Sequence, residues 1–328
     1  MEATQRWKAA VVHLECATDS VHFSDRIRQI ERLQEQVRRG EITHEQMSEG
    51  LSGGSRDIRF NGTAIFVRHA SRRFLVTARH VLWDDVAAKR ELEEEHARVA
   101  RWPEHLRRRL VQHAEERSLT RIFSIIFRVP TLDEALRTRA QPLNFLMNLG
   151  AGVTWMAPYL FSSPEIDLAV VSLDQRNKQF ADELEREGYT AISSDEFADG
   201  PTAEGADVFT VGFPSATAII GERRLHAAER NWSSSVVCVP TFAFGKVSML
   251  HPLLQFFWCD MSIYPGNSGG PVIEKDRLVG IVSEQPAIPV EDGYVEGGTT
   301  RIPFAKAIRA SHVRGLLDLQ LQKDAGGP

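Results

Sequence analysis

Cysteine is scarce. The 328-residue chain holds three, Cys16, Cys238 and Cys259. An odd count without CxxC spacing excludes a disulfide framework and gives no zinc signature. All three read as buried free thiols, small hydrophobes in effect, which fits the reducing conditions of a cytoplasm. Long apolar runs are missing too: no stretch approaches the roughly 18 residues of a membrane-spanning helix. The start, Met1 to Lys8, is not the basic segment followed by an apolar stretch of about 7–15 residues that a secretory leader needs. Nor is there a basic surplus. Lys and Arg number 39 against 44 Asp and Glu, a net charge of −5, whereas a surface that follows a phosphate backbone carries the opposite sign. The expectations are a cytoplasmic protein with no membrane partner and no nucleic-acid partner.

What is present is an ordinary globular composition, 42% hydrophobic and 25% charged, long enough to bury a core unaided. Most of it reads as short strands rich in Val, Ile and Phe: Lys8–Leu14, Asp57–Val67, Arg73–Thr77, Arg121–Val129, Val153–Phe161 and Asp167–Leu173. Asp207–Val211, Ser235–Met249, Gln255–Ser262, Val272–Ile273 and Leu278–Ser283 continue the series. Such runs between Gly, Pro, Asn and Ser clusters predict barrels or sandwiches. Three segments read as helical. In Ser24–Leu51, Ile27, Ile30, Leu33 and Val37 recur at helical spacing; Gly40 ends that helix, and Thr43 with Gln46 forms a capping box for a second. Asp84–Leu119 predicts two charged helices, with Pro103 opening the second. Phe304–Leu321 predicts a closing helix. Gln175–Gly205 is polar and reads as an interdomain linker.

Three local patterns carry chemistry. In Gly266-Asn267-Ser268-Gly269-Gly270, a serine follows glycine by two positions. A nucleophilic serine needs backbone N–H groups aimed where negative charge develops on the attacked carbonyl, and Gly266 with Ser268 would supply them. In Phe74-Leu75-Val76-Thr77-Ala78-Arg79-His80, an apolar strand delivers a histidine, the placement a general base requires. In Asp167-Leu168-Ala169-Val170-Val171, a carboxylate leads an apolar strand, where burial demands a partner and a histidine N–H is the natural one. Each alone has a plainer reading: a glycine-rich hairpin, a histidine at a strand end, a strand-capping aspartate. Together they run in the order His, Asp, Ser, the order of chymotrypsin-type proteases rather than of subtilisins or α/β-hydrolases.

At these residues the chain resembles the trypsin-like, chymotrypsin-fold serine peptidases, and the bacterial HtrA-like branch most. Thr77-Ala78-Arg79-His80-Val81 and Asp167-Leu168-Ala169-Val170 match that branch's His and Asp motifs. Gly62–Val67 resembles the strand before the His motif, Gly205–Pro214 the opening strand of the second barrel, and Leu278–Ser283 the strand beside the specificity pocket. The resemblance implies a mainly β fold with two six-stranded barrels. Residues 1–175 would form the first, carrying His80 and Asp167, with helical insertions at about 23–51 and 84–118. A linker at 176–206, a second barrel at 207–303 carrying Ser268, and a helix with tail at 304–328 would follow. It also implies that His80, Asp167 and Ser268 are catalytic and that Gly266 and Ser268 form the oxyanion hole. Ser262 would sit at the base of the primary pocket, and Ser283, Glu284 and Gln285 would bind substrate as an added strand, although Glu284 also reads simply as solvent-facing.

The departures from the family pattern are informative. Asn267 stands where zymogen-type relatives carry an aspartate that pairs with a newly cut N-terminus, so activation by such a cut is not expected. Val81 replaces the cysteine of secreted relatives. About 24 residues follow Phe304, too few for the HtrA-type PDZ domain. Within the insertion, Arg98, Arg101, Arg107, Arg108 and Arg109 are nearly cancelled by Glu91, Glu93, Glu94, Glu95, Glu115 and Glu116, so a solvated or partner-facing hairpin is expected rather than a nucleic-acid patch. The reading is a serine endopeptidase acting on protein or peptide, needing no metal or organic cofactor, with a regulatory protein partner engaged through the helical insertions. The alternative is a non-catalytic or cis-acting interaction module on the same fold.

Overall fold

Burial of strands on both faces explains the short apolar runs. A computed structural model describes residues 3–17, 32–47, 58–83, 85–118, 125–128, 146–148, 157–215, 219–226, 233–237, 239–289 and 299–326. The first half is an eight-stranded sheet. Its strands are β1 (Val11–Ala17), β2 (Ile58–His69), β3 (Arg72–Ala78), β4 (Ile125–Arg128), β5 (Leu146–Asn148), β6 (Tyr159–Phe161), β7 (Leu168–Ser172) and β8 (Ile192–Ser193). They pair in the order β5-β4-β1-β2-β3-β7-β6, with β8 added parallel to β2. Successive residues point to opposite faces. Val12, Leu14, Ala64, Phe66, Leu75, Ala169 and Val171 fill this half's own core. Their neighbours Val11, Ile65, Val67, Phe74, Val76, Leu168 and Val170 face a second core. That core is shared with Val211, Phe213, Ile281 and Ile308 of the other half. A sheet buried on both faces reads as continuous hydrophobics, as Leu168–Val171 does.

The second half is a closed six-stranded barrel in the order β12-β13-β18-β15-β14-β9. It is made of β9 (Asp207–Gly212), β12 (Thr241–Leu250), β13 (Phe256–Cys259), β14 (Pro271–Glu274), β15 (Arg277–Glu284) and β18 (Ala305–Arg309). Val208, Val247, Phe257, Val272, Val279 and Val282 fill it. Two short hairpins lie outside the barrel sheet: β10 (Ile219–His226) with β11 (Ser233–Val237), and β16 (Ala287–Pro289) with β17 (Thr299–Arg301). The fold is therefore mainly β with helical additions.

Two boundaries differ from the sequence reading. The closing helix does not begin at Phe304: Ala305–Arg309 is the barrel strand β18, and the helix spans Ser311–Asp324. Ala305 and Ala307 are buried in the barrel core and Ile308 in the shared core, contacts a strand provides. The second barrel thus runs past residue 303. The polar linker is also packed structure. It contains the helix Lys178–Arg186, whose Phe180, Ala181 and Leu184 are buried, then β8 and the capped turn Ser194–Glu196.

Among the described residues the helical insertions hold helices. Residues 32–38 and 44–47 are helical; the Thr43 N–H donates to Gln46 Oε1 (2.9 Å) and the Gln46 N–H to Thr43 Oγ1 (3.1 Å). The charged insertion is a pair of helices, Asp85–Val99 and Glu104–Ser118. A short helix, Ala3–Lys8, was not anticipated. Its Trp7 is fully buried in the shared core and donates to Asp276 Oδ1 (2.9 Å). Ile27, Ile30, Asp57, residues 121–124 and 153–156, Val129 and Cys238 lie outside the described residues, as do the side chains of Glu91, Glu115 and Glu116. Among the described residues no helix is long and apolar enough to cross a membrane.

Candidate active site

The pairing of β3 with β7 sets Ala78 opposite Leu168. The end of one strand therefore lies beside the start of the other, and the residues just beyond them meet. His80 sits in the single helical turn Arg79–Leu82. Asp167 occupies the left-handed region at φ +50°, a conformation aspartate tolerates better than most residues. The Asp167 carbonyl accepts from Arg79 N–H (3.0 Å), and its own N–H donates to Ser163 O (3.1 Å). Its carboxylate accepts from His80 N–H (Oδ1, 3.0 Å) and lies 2.9 Å (Oδ2) and 3.2 Å (Oδ1) from His80 Nδ1. Asp167 is 17% exposed and His80 41%. The carboxylate is thus largely withheld from water, while the imidazole, held through Nδ1, is partly exposed.

Ser283 joins this pair to Ser268. It is buried at the end of β15. Its hydroxyl donates to Asp167 Oδ2 (2.5 Å), and its carbonyl accepts from Ser268 Oγ (3.3 Å). Ser268 Oγ and His80 share no hydrogen bond in this conformation. In unliganded sites such contacts are often loose.

The turn around Ser268 depends on two glycines. Gly266 has φ +99°, and a Cβ there would lie 2.3 Å from Phe213 O; Gly269 has φ +86°, and a Cβ there would lie 2.0 Å from Thr63 O. Either contact is a steric overlap, so only glycine fits. The Pro265 carbonyl accepts from Ser215 N–H (2.8 Å) and Ser215 Oγ–H (3.0 Å). In a trans peptide the C=O and the following N–H point in opposite directions, so Gly266 N–H faces away from Ser215. Neither Gly266 N–H nor Ser268 N–H donates a hydrogen bond among the described residues. Two free donors flanking a serine hydroxyl can bind a developing oxyanion.

The remaining expected site residues part company. Ser262 is exposed. Glu284 is 60% exposed and lies 3.4 Å from Lys306 Nζ, the solvent-facing alternative. Gln285 donates through Nε2 to Ile302 O (3.1 Å). Ser283, expected only along a pocket wall, is the residue that bridges Asp167 and Ser268. Sequence reading missed that role, since nothing local to Leu278–Ser283 marks a hydroxyl that reaches 116 positions away.

Among the described residues no cluster of His, Cys, Asp or Glu is arranged to hold a metal. Cys16 and Cys259 are buried free thiols. Burial, helped by Asp260, pushes the Cys259 thiol up to about 12, and burial with Glu15 raises Cys16 as well, so neither is a ready thiolate nucleophile. A family model described as a trypsin-like peptidase domain matches residues 62–281. No curated protein matches the chain.

Proposed function

This chain belongs to the trypsin-like peptidase family, and we propose that it is a serine endopeptidase working through His80, Asp167 and Ser268. Ser268 Oγ rotates from Ser283 O towards His80, a change of one side-chain rotamer. His80 Nε2 takes its proton as the oxygen attacks a peptide carbonyl. Asp167 holds Nδ1–H and stabilises the imidazolium, and Gly266 and Ser268 N–H groups receive the oxyanion. His80 then protonates the leaving amine, and water attacks the acyl-enzyme with His80 again as base. The observation that carries this reading is the bonded series His80–Asp167–Ser283–Ser268, ending beside two unpaired N–H groups.

Substrate would add as a strand along Ser283–Gln285. The charged hairpin 85–118, with Trp102 and Leu106 exposed, would receive a regulatory partner, and the buried free thiols suit a reducing cytoplasm. The absent His80–Ser268 hydrogen bond favours one second reading, a gated or non-catalytic module. New protein N-termini, mapped by mass spectrometry in cells making the wild-type or Ser268→Ala chain, separate the two. The peptidase reading expects cut sites present only with wild type; identical profiles would overturn it in that setting.

A further inference from the structure

One buried side chain of the first half grips the loop that carries both oxyanion donors. Thr63, on β2, is fully buried. Its N–H donates to Ser268 O (2.9 Å). Its hydroxyl donates to Gly266 O (2.7 Å) and accepts from Phe213 N–H (3.1 Å). Its carbonyl accepts from Thr77 Oγ1 (2.7 Å). A hydroxyl has one proton and spare lone pairs. Thr63 gives that proton to the oxyanion loop and uses a lone pair to hold the strand end behind it.

The geometry fixes more than position. The carbonyls of Gly266 and Ser268 belong to the peptide planes on either side of the unit that carries Ser268 N–H. Tying both to one residue limits how that unit can turn, since peptide units are rigid planes. Asn267 Oδ1, by contrast, is buried without a hydrogen-bond partner. That oxygen does not hold the loop.

We infer that Thr63 is a positioning residue for the oxyanion hole, its hydroxyl keeping the Gly266 and Ser268 N–H groups aimed at one point across the interface between the two halves. This rests on the peptidase reading above. It also explains how the hole is formed without a charged N-terminus paired at position 267: the restraint comes from β2. Misplacing a reacting group by about 1 Å can cost about a hundredfold in rate, so a hydroxyl that touches no substrate can still govern turnover.

The test compares Thr63→Val, which keeps the shape and deletes the hydroxyl, with Thr63→Ser, which restores it. Thr63→Cys, a weak donor of similar size, replaces the valine variant if that one does not fold. Two readouts are taken on the full chain: the inactivation rate with a fluorophosphonate probe, separated from probe affinity, and amide hydrogen exchange of peptides covering 262–272. The valine variant is expected to lose about tenfold or more in inactivation rate with little change in probe affinity, and to exchange faster in that segment. The serine variant is expected to recover both. Equal rates and equal protection in wild type and Thr63→Val would overturn the inference, as would a serine variant no better than valine. If the folded wild type takes no label at Ser268, the peptidase reading fails. The exchange comparison then still decides the clamp, and unchanged protection in Thr63→Val would refute it.

Discussion

An aspartate that orients an imidazole must itself be oriented, and Asp167 is held by five groups: His80 N–H, His80 Nδ1–H, Ser283 Oγ–H and, through its backbone, Arg79 N–H and Ser163 O. Replacing Asp167 by Asn removes the charge and turns one of its two accepting oxygens into an NH2 donor, which favours the wrong tautomer of His80. The rate of probe labelling or peptide hydrolysis should fall by about 10⁴-fold with little change in unfolding midpoint. Ser283→Ala removes one hydrogen bond to a charged group, and about a ten- to hundredfold loss is expected. Stopped assays at saturating substrate check both. His13 gives a residue-scale prediction about pH. It is fully buried, stacked on Phe213 at 5.0 Å, with neither ring nitrogen hydrogen-bonded. Burial, then the Arg128 charge, lowers its pKa to about 3. Protonation is thus disfavoured in the fold and allowed in the unfolded chain. Its contribution is fully present above about pH 6.5 and is lost progressively as pH falls towards 3, by about 1.4 kcal/mol per unit. Urea unfolding of His13→Phe between pH 7 and 5 should lack that slope.

Two-residue hairpin turns show how elements tolerate local strain. Ala70 and Ser71 join β2 to β3 with φ of +46° and +65°, and Lys275 and Asp276 join β14 to β15 with +47° and +63°. Such turns prefer Asn-Gly, because a left-handed residue with a Cβ costs about 1–2 kcal/mol. The pair Ala70→Asn and Ser71→Gly should therefore stabilise the chain by about 1 kcal/mol, read as a raised urea midpoint at constant slope. The second turn is different, because Asp276 is engaged by Trp7 and Arg6. These turns escaped sequence reading because neither contains Gly or Asn. The same logic separates what was legible from what was not. Strands with an apolar run and the chemistry at their ends, His80 and Asp167, are visible because motif and element coincide. Ala305–Arg309 reads as helix because this short apolar strand runs directly into the helix Ser311–Asp324, whose Val313, Leu316 and Leu317 carry the helical spacing. The helix Lys178–Arg186 was hidden because only three of its residues are buried, too few to stand out in a polar stretch.

At the scale of the whole molecule, the shared core matters most. Trp7, Ile65, Phe74, Phe213, Ile281, Ile308 and Leu317 bring both halves and both chain ends into one cluster. Each such side chain, fully buried, contributes about 1.5–3 kcal/mol, so the halves are coupled and the site between them is held by more than its hydrogen bonds. The contacts that assemble it, Ser283 to Asp167 and Thr63 to Gly266, span 116 and 203 positions. Long-range pairings of this kind are set by topology and leave no trace in local sequence. The most direct measurement is intact-mass and peptide mapping after exposure of the folded full chain to a fluorophosphonate. The expected result is one adduct, on Ser268, absent from Ser268→Ala and strongly slowed in Asp167→Asn. No adduct on Ser268 in the folded wild type, or an equal adduct in Ser268→Ala, would contradict a catalytic role for this site.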